Sequence, residues 1–419
     1  MKCRNCKKNK FNLISKIGDQ PISSIFLEKK IYVKNFSLNL HECIKCKLIQ
    51  LSKIPGLKDM YGPKYGYKTS ISGLMIDHLK KKFNRIGKLE ILKKNGNILD
   101  IGSNDGTFLN FFKKKDNIKL TGIDPSAVAF LKSYDKKIKI INDFFNKESI
   151  KNYFINKKFS VITSFAMFYD VEDPNAFCKN IHKLLDKNGI WVLEFSYFPL
   201  LLKNLTYDQI CHEHVMYYTL NTFNEIIKKN SLKIIDFSLN EINGGSIEVI
   251  CTKKNSSLKV KTQKLLNTIS EEKKINKKDY DKFNLRIQTS KKNLQLFLSN
   301  IKKTEIIGYG ASTKGNVILN YCGITNKNIP YICDANPTKL GKFTPGSHIS
   351  IISKKKMRRI NPKYLLILIW SFRSEVIKQE KEFIKKGGKL LFPLPDFHVV
   401  DKDNYLEYLK KDFSDSLTD

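Results

Sequence analysis

The chain has 419 residues, more than one ordinary hydrophobic core supports, so two or three domains are expected and a lone binding module is disfavoured. Its 75 Lys+Arg against 40 Asp+Glu leave a formal net charge of +35, yet the lysines are scattered among abundant Ile and Asn. They form no compact basic stripe interleaved with aromatics, which argues for a compositional bias and against a nucleic-acid partner. The opening "MKCRNCKKNK" lacks the apolar segment of a signal peptide, and no run approaches the ~18 apolar residues of a membrane span, so a soluble, cytoplasmic protein without a membrane partner is expected.

Residues 1–75 are read as a zinc-binding domain. Cys3-x-x-Cys6 and Cys43-x-x-Cys46 are separated by 36 residues. Each pair can form a knuckle whose two thiolates point at one ion, and two knuckles complete a tetrahedral four-sulfur site that leaves no open position for catalysis. Redox chemistry and unbound thiols are the alternatives. Cys178, Cys251, Cys322 and Cys333 are isolated and read as small core residues. Nothing resembles a disulfide framework, as expected in a reducing compartment.

Residues 76–240 alternate strand and helix. "MIDHLKKKFNRIGKLEILKK" has the period of an amphipathic helix, followed by the strand "NILDIG", the turn "SNDG" and a helix "TFLNFFKKK". Then come "IKLTGIDPS" with a further helix, the strand "FSVITSFAMFYD", the helix "AFCKNIHKLL" and the strand "GIWVLEFSYF". This is the signature of a doubly wound α/β sheet. In "LDIGSNDGTFL", Asp100, Gly102 and Gly106 stand where a strand turns into a helix, where glycines admit a ligand close to the backbone and free N–H groups are presented. The turn reads GxxxG with Asn104 and Asp105 inside, which suits a ligand without phosphates. Asp124, eighteen residues after Gly106 at the end of the next strand, is placed to accept from two ribose hydroxyls. In "NDFFN", Asp143 can meet an adenine amino group while Phe144 or Phe145 covers the ring. The combination resembles the S-adenosylmethionine site of class I methyltransferases.

Residues 206–220, "TYDQICHEHVMYYTL", follow the strand whose carboxyl end borders such a donor, and they hold two of the chain's seven histidines, His212 and His214, around Glu213. A catalytic role is weighed against satisfied structural histidines and a metal site. The metal reading is disfavoured because the run lacks the i, i+4 helical spacing of zinc proteases, and because a strand would point Glu213 away from both histidines.

Residues 241–419 are read as a C-terminal Rossmann-like substrate-binding domain. The charged stretch 255–300 has no Gly or Pro and predicts long exposed helices. Beyond it, "TEIIGYGASTKG", "IPYICDANPTKLG" and "KYLLILIWSF" with "GGKLLFPLPDF" restart the strand and helix alternation, "LLILIW" being a buried parallel strand.

The four-cysteine region, the GSNDG turn, the HEH run, "NGGSIEV" and "GYGASTKGN", in this order over essentially the whole chain, resemble the sugar C-methyltransferases that act on nucleotide-linked 4-keto-deoxysugars. The resemblance implies S-adenosylmethionine as donor, structural zinc, and methyl transfer to C-3 of a TDP-4-keto-hexose. Such chemistry needs a base for the proton α to the ketone, for which His214 is the candidate, and a donor to the enolate oxygen from His212, Tyr65 or Tyr67. Glu213 is expected to orient a histidine or hold a sugar hydroxyl. Asn243, Gly244, Gly245 and Lys314 are candidates for the nucleotide-sugar end. Cys211 departs from the tyrosine that antibiotic-sugar members tend to carry before HEH, which bears on the sugar; packing is its simpler role than nucleophilic chemistry. Methylation of a sugar oxygen or of RNA, and a zinc-containing protein that only senses a nucleotide, are the competing readings.

Overall fold

The computed structural model describes residues 1–56, 60–61, 67–92 and 96–410. Three sheets organise them. The first begins as an antiparallel meander of β1 (Phe11–Pro21), β2 (Asn35–Cys43) and β3 (Ile49–Leu51). The second is built from β4 (Gly96–Ile101), β5 (Ile118–Ile123), β6 (Ile138–Ile141), β7 (Phe159–Phe165) and β8 (Leu185–Ser196), all parallel. The chain then returns to the first sheet, where β9 (Met216–Tyr217) pairs with β3, and comes back as the antiparallel hairpin β10 (Leu232–Asn240) and β11 (Ser246–Lys253). β11 pairs with β8, giving the seven-stranded order β10-β11-β8-β7-β4-β5-β6. The middle sheet therefore extends to Lys253, past the boundary at residue 240 read from the sequence, because Ser246–Thr252 bond in register with Ile190–Ser196.

The third sheet, order β14-β13-β12-β15-β16-β17, holds β12 (Ile306–Tyr309), β13 (Tyr331–Asp334), β14 (Ser350–Ser353), β15 (Tyr364–Ile367) and β16 (Lys389–Phe392) in parallel, with β17 (His398–Val400) antiparallel at its edge. The charged stretch before it forms the helices Thr262–Glu272 and Lys277–Ser299; the longer is not wholly exposed, since Phe283, Ile287 and Leu294 face the core. Where a helix was expected after β5, residues Ala127–Ser133 form a 3-10 segment.

The two parallel units repeat one piece of wiring. Gly102 N donates to the Ile123 carbonyl at 2.9 Å and Asn104 N to Asp124 Oδ2 at 2.9 Å; Gly310 N donates to the Cys333 carbonyl at 2.8 Å and Ala311 N to Asp334 Oδ2 at 2.7 Å. In the third sheet, however, Lys339 Nζ donates to the Ala311 carbonyl at 2.7 Å, so this crossover is occupied by the chain's own cation. Among the described residues, no helix is long and apolar enough to cross a membrane.

Candidate active site

A cavity of about 750 Å³ opens at the carboxyl ends of β4, β5, β7 and β8, and is lined from all three parts of the chain. This is where an open α/β sheet presents backbone groups to a ligand. Asp100, Gly102, Asn104, Asp124, Asp143 and Phe144 line it. Gly102 has φ +75°, and a Cβ there would meet the Met167 side chain at 2.9 Å, so the close turn requires glycine. Asp124 is fixed by Asn104 N and by Ser126, whose N–H and hydroxyl donate to Oδ1 at 2.7 and 2.5 Å. Burial pushes the Asp100 carboxyl up to about 7 despite a 2.6 Å bond from Thr163 Oγ1. The Asn104 side chain reaches away from the turn. Its Oδ1 accepts from Thr69 N at 3.0 Å and its Nδ2 donates to the Tyr67 carbonyl at 3.2 Å, tying the segment from Tyr67 over the cavity. Tyr67 lines the cavity and is 45% exposed; Tyr65 lies outside the described residues.

Two members of the turn do not line the cavity. Asp105 accepts from Thr107 Oγ1 at 2.6 Å and from Ser70 N at 2.9 Å, so it is engaged within its own turn and holds the segment at residue 70. Gly106, with φ +75°, lies where any Cβ would strike the Tyr134 ring at 2.5 Å. For both, local packing accounts for the residue type.

The HEH run is a turn, not a strand. Alternation therefore fails. Glu213 and His214 both line the cavity, and His212 turns aside, donating from Nε2 to the Phe36 carbonyl at 3.1 Å with its ring edge-on to Phe36. The expectation that a strand would separate Glu213 from both histidines does not hold. The Glu213 carboxylate accepts from Ser24 N at 3.1 Å and Ser23 Oγ at 3.3 Å, so the connection between β1 and β2 holds it. Beside it, Asp170 Oδ1 is buried with no hydrogen-bond partner among the described residues, and burial pushes that carboxyl well above its usual range against a bond from Tyr61. His214 lies against Tyr169 with ring centroids 4.1 Å apart. Burial and the Lys314 ammonium push its imidazole down to about 3, against the Gln209 carbonyl, which acts the other way. It is therefore neutral at physiological pH.

The C-terminal motifs meet at the same wall. Gly244 packs so closely on Trp370 that a Cβ would lie 2.8 Å from the ring, and a Cβ on Gly245 would lie 2.7 Å from Leu200. Neither glycine lines the cavity; they place Asn243, which does. Asn243 Oδ1 accepts from Lys314 Nζ at 2.8 Å, and its carbonyl accepts from Gln209 Nε2. Trp370 Nε1 in turn donates to Asp208 Oδ2 at 2.7 Å. Cys211 lines the cavity as a buried thiol that burial pushes well above its usual range, which keeps it protonated.

Glu194 was not among the candidates. At the end of β8, 2% exposed, it lines the cavity and accepts from His78 Nε2 at 3.0 Å, Lys82 Nζ at 2.7 Å and Asn240 Nδ2 at 2.7 Å. Lys82 also pairs with Glu248, as does Arg85. Burial alone would raise Glu194, but Lys82 and His78 outweigh it and hold it at about 2. The stability this group contributes is therefore present above its unfolded value near 4.3 and is lost as pH falls toward 2. Two signals were available: Lys82 falls in the buried stripe Met75, Leu79, Ile86 of the helix Gly73–Ile86, and Glu194 interrupts an apolar strand. Lys82→Met is expected to lose about 3–5 kcal/mol by chemical denaturation, since it leaves two buried carboxylates facing each other.

At the N-terminus the sulfurs of Cys3, Cys6, Cys43 and Cys46 lie within 4.8 Å of one another, with 3.5 Å between Cys3 and Cys46 and between Cys6 and Cys43. A tetrahedral zinc with Zn–S near 2.3 Å needs sulfurs about 3.8 Å apart, so the donor set fits. The knuckles match: Lys7 N donates to the Cys3 carbonyl at 3.0 Å and Lys47 N to the Cys43 carbonyl at 2.9 Å, both lysines having positive φ.

Two family models match the chain, a methyltransferase domain over residues 74–236 and a C-methyltransferase C-terminal domain over residues 241–395. The chain is similar to the C-methyltransferase NovU of Streptomyces niveus, 25% identical over 414 residues, covering 96% of this chain and 98% of that protein. A shorter stretch, 40% of this chain, is 26% identical to the tRNA U34 carboxymethyltransferase of Nautilia profundicola, over 57% of that protein. Among solved structures, the plantazolicin methyltransferase BpumL in complex with SAH aligns with 42% of this chain and 87% of its own, at 17% identity and a TM-score of 0.34.

Proposed function

The chain is an S-adenosylmethionine-dependent C-methyltransferase, and from that premise we propose that it methylates C-3 of a nucleotide-linked 4-keto-deoxysugar through an enolate. The observation that carries this reading is His214, a neutral imidazole lining the cavity that Gly102 and Asp124 also line. An oxygen acceptor would not need a base able to take a proton from carbon.

In the proposed assignment Asp124 accepts from the donor's ribose hydroxyls, Asp143 meets the adenine edge and Phe144 covers the ring. The donor supplies an electrophilic methyl on a sulfonium. His214 takes the C-3 proton; the C–H pair becomes the C-3/C-4 double bond and the ketone π pair moves to oxygen. Held by Asp124, Asp143 and Phe144, the donor would supply the methyl that C-3 takes up, the S–CH₃ pair remaining on its sulfur, and His214 returns its proton to solvent. Glu213 and Asp170 face the acceptor as hydrogen-bonding groups for its hydroxyls, and Asn243, in the turn between β10 and β11, brings Lys314 of the C-terminal unit to the same end.

Purified protein with methyl-labelled S-adenosylmethionine should label nucleotide-linked 4-keto-sugars and leave both the 4-hydroxy sugars and RNA unlabelled. Label in RNA, or equal label in 4-hydroxy sugars, overturns the reading. Asp124→Ala is expected to weaken S-adenosylhomocysteine binding by about two orders of magnitude in calorimetry, since two charge-assisted bonds of roughly 1.5 kcal/mol each are lost. Unchanged affinity would place the ribose elsewhere.

A further inference from the structure

Enolisation puts negative charge on the ketone oxygen, and the base takes a proton that leaves positive charge on the imidazole. His212, the sequence candidate for the oxyanion, donates to the Phe36 carbonyl and is not a wall of the cavity. A cation does stand in that wall. Lys314 occupies the first turn of the helix Thr313–Cys322, where Ser312 Oγ accepts from Gly315 N at 2.9 Å.

That position disfavours a cation twice over. The helix N-terminus is the positive end of the backbone dipole, and removal from water penalises the ammonium. The fold nevertheless fixes it. The Gly244–Gly245 turn packs on Trp370 and Leu200 and so presents Asn243 Oδ1 to Lys314 Nζ at 2.8 Å, while Asp208, itself held by Trp370, opposes the desolvation. Among the described residues one acceptor takes one of three N–H donors, which leaves capacity for an oxygen inside the cavity that Lys314 lines with His214. A cation maintained at such a cost, in a cavity wall next to the candidate base, marks function more than stability.

Resting on the enolate reading above, we propose that Lys314 is a catalytic residue: its ammonium donates to the ketone oxygen of the acceptor and stabilises the enolate oxyanion, with Asn243 as its positioning residue. The C-terminal domain then contributes to the chemistry and not to substrate binding alone. The pairing also resolves a mismatch. An imidazole whose conjugate acid lies at about 3 is too weak a base for a ketone α-proton on its own. The same ammonium that weakens it lowers the energy of the oxyanion formed in that step, and beside a buried imidazole this attraction is stronger than in bulk solvent. Base and cation therefore act as one unit.

The test incubates parent, Lys314→Met and Lys314→Arg enzymes with S-adenosylhomocysteine and a TDP-linked 4-keto-6-deoxyhexose in deuterated water, reading deuterium at C-3 by mass spectrometry and sugar affinity by calorimetry. Removal of one such donor typically slows the step about 10²–10³-fold. Lys314→Met should show that loss at saturating sugar, with sugar affinity changed less than tenfold and S-adenosylhomocysteine affinity and melting temperature near the parent's. Lys314→Arg, which keeps the charge, should recover part of the rate. Exchange at the parental rate in Lys314→Met overturns the assignment and leaves the enolate reading intact. So does a loss that saturating sugar restores, since that is the mark of a phosphate or hydroxyl contact. Absence of exchange in the parent overturns the enolate reading itself, and this assignment with it.

Discussion

With S-adenosylhomocysteine in the donor site and deuterated water as solvent, His214→Asn is expected to leave C-3 of the 4-keto-sugar protiated, while the parent washes deuterium in. Methylation should fall with exchange by about 10²–10⁴-fold, the usual contribution of a positioned base, and donor affinity should not change. His212→Asn is expected to leave exchange close to parental, because the His212 ring faces the Phe36 carbonyl and not the cavity. The pH profile offers a second reading of the same claim. The base must be neutral to act, and His214 is held at about 3, far below the ordinary imidazole value near 6.5. Catalytic efficiency should therefore hold as pH falls through 6.5 and decline only well below it. Parental exchange in His214→Asn would remove His214 from the role and return attention to Tyr67.

Loss of the four-cysteine site should be more damaging than its distance from the chemistry suggests. A closed four-thiolate zinc site supplies about 10–16 kcal/mol of folding energy, comparable to the whole stability of a domain. Its knuckles anchor the sheet in which β3 pairs with β9, immediately after the HEH turn, and Leu51 N donates to the Val215 carbonyl at 3.0 Å. Ser23 and Ser24 hold Glu213 and Phe36 holds His212, all from the β1–β2 hairpin. Cys3→Ser and Cys43→Ser are thus expected to yield protein that melts far lower and does not methylate, and elemental analysis of the parent should give one zinc per chain. A metal-free parent, or variants that melt with the parent, would refute the zinc assignment.

Much of this architecture can be read along the chain because its signals are local. The strand and turn "LDIG…G" and the acidic strand end at Asp124 are short-range patterns set by backbone geometry, and two C-x-x-C pairs need only a common ion. The direction of His212 was not readable, since it depends on whether residues 211–214 form a strand or a turn, and the strand that follows them, β9, pairs with residues 166 and 168 positions earlier in the chain. The glycines of the NGG turn illustrate the same limit. Their spacing suggests a ligand, but their conformation answers to Trp370 and Leu200. The Glu194, Lys82 and Glu248 cluster joins groups 112 and 166 residues apart, so only the lone charges within apolar patterns marked it.

The position of the transferred methyl group distinguishes the enolate mechanism from every oxygen-directed one. Enzyme given S-adenosylmethionine carrying ¹³C in its methyl group and a TDP-linked 4-keto-6-deoxyhexose should yield a product whose labelled methyl carbon is bonded to C-3, seen as a carbon–carbon correlation by NMR and retained after acid hydrolysis to the free sugar. A labelled methyl bonded to oxygen would contradict the enolate mechanism, and with it the roles assigned to His214 and Lys314.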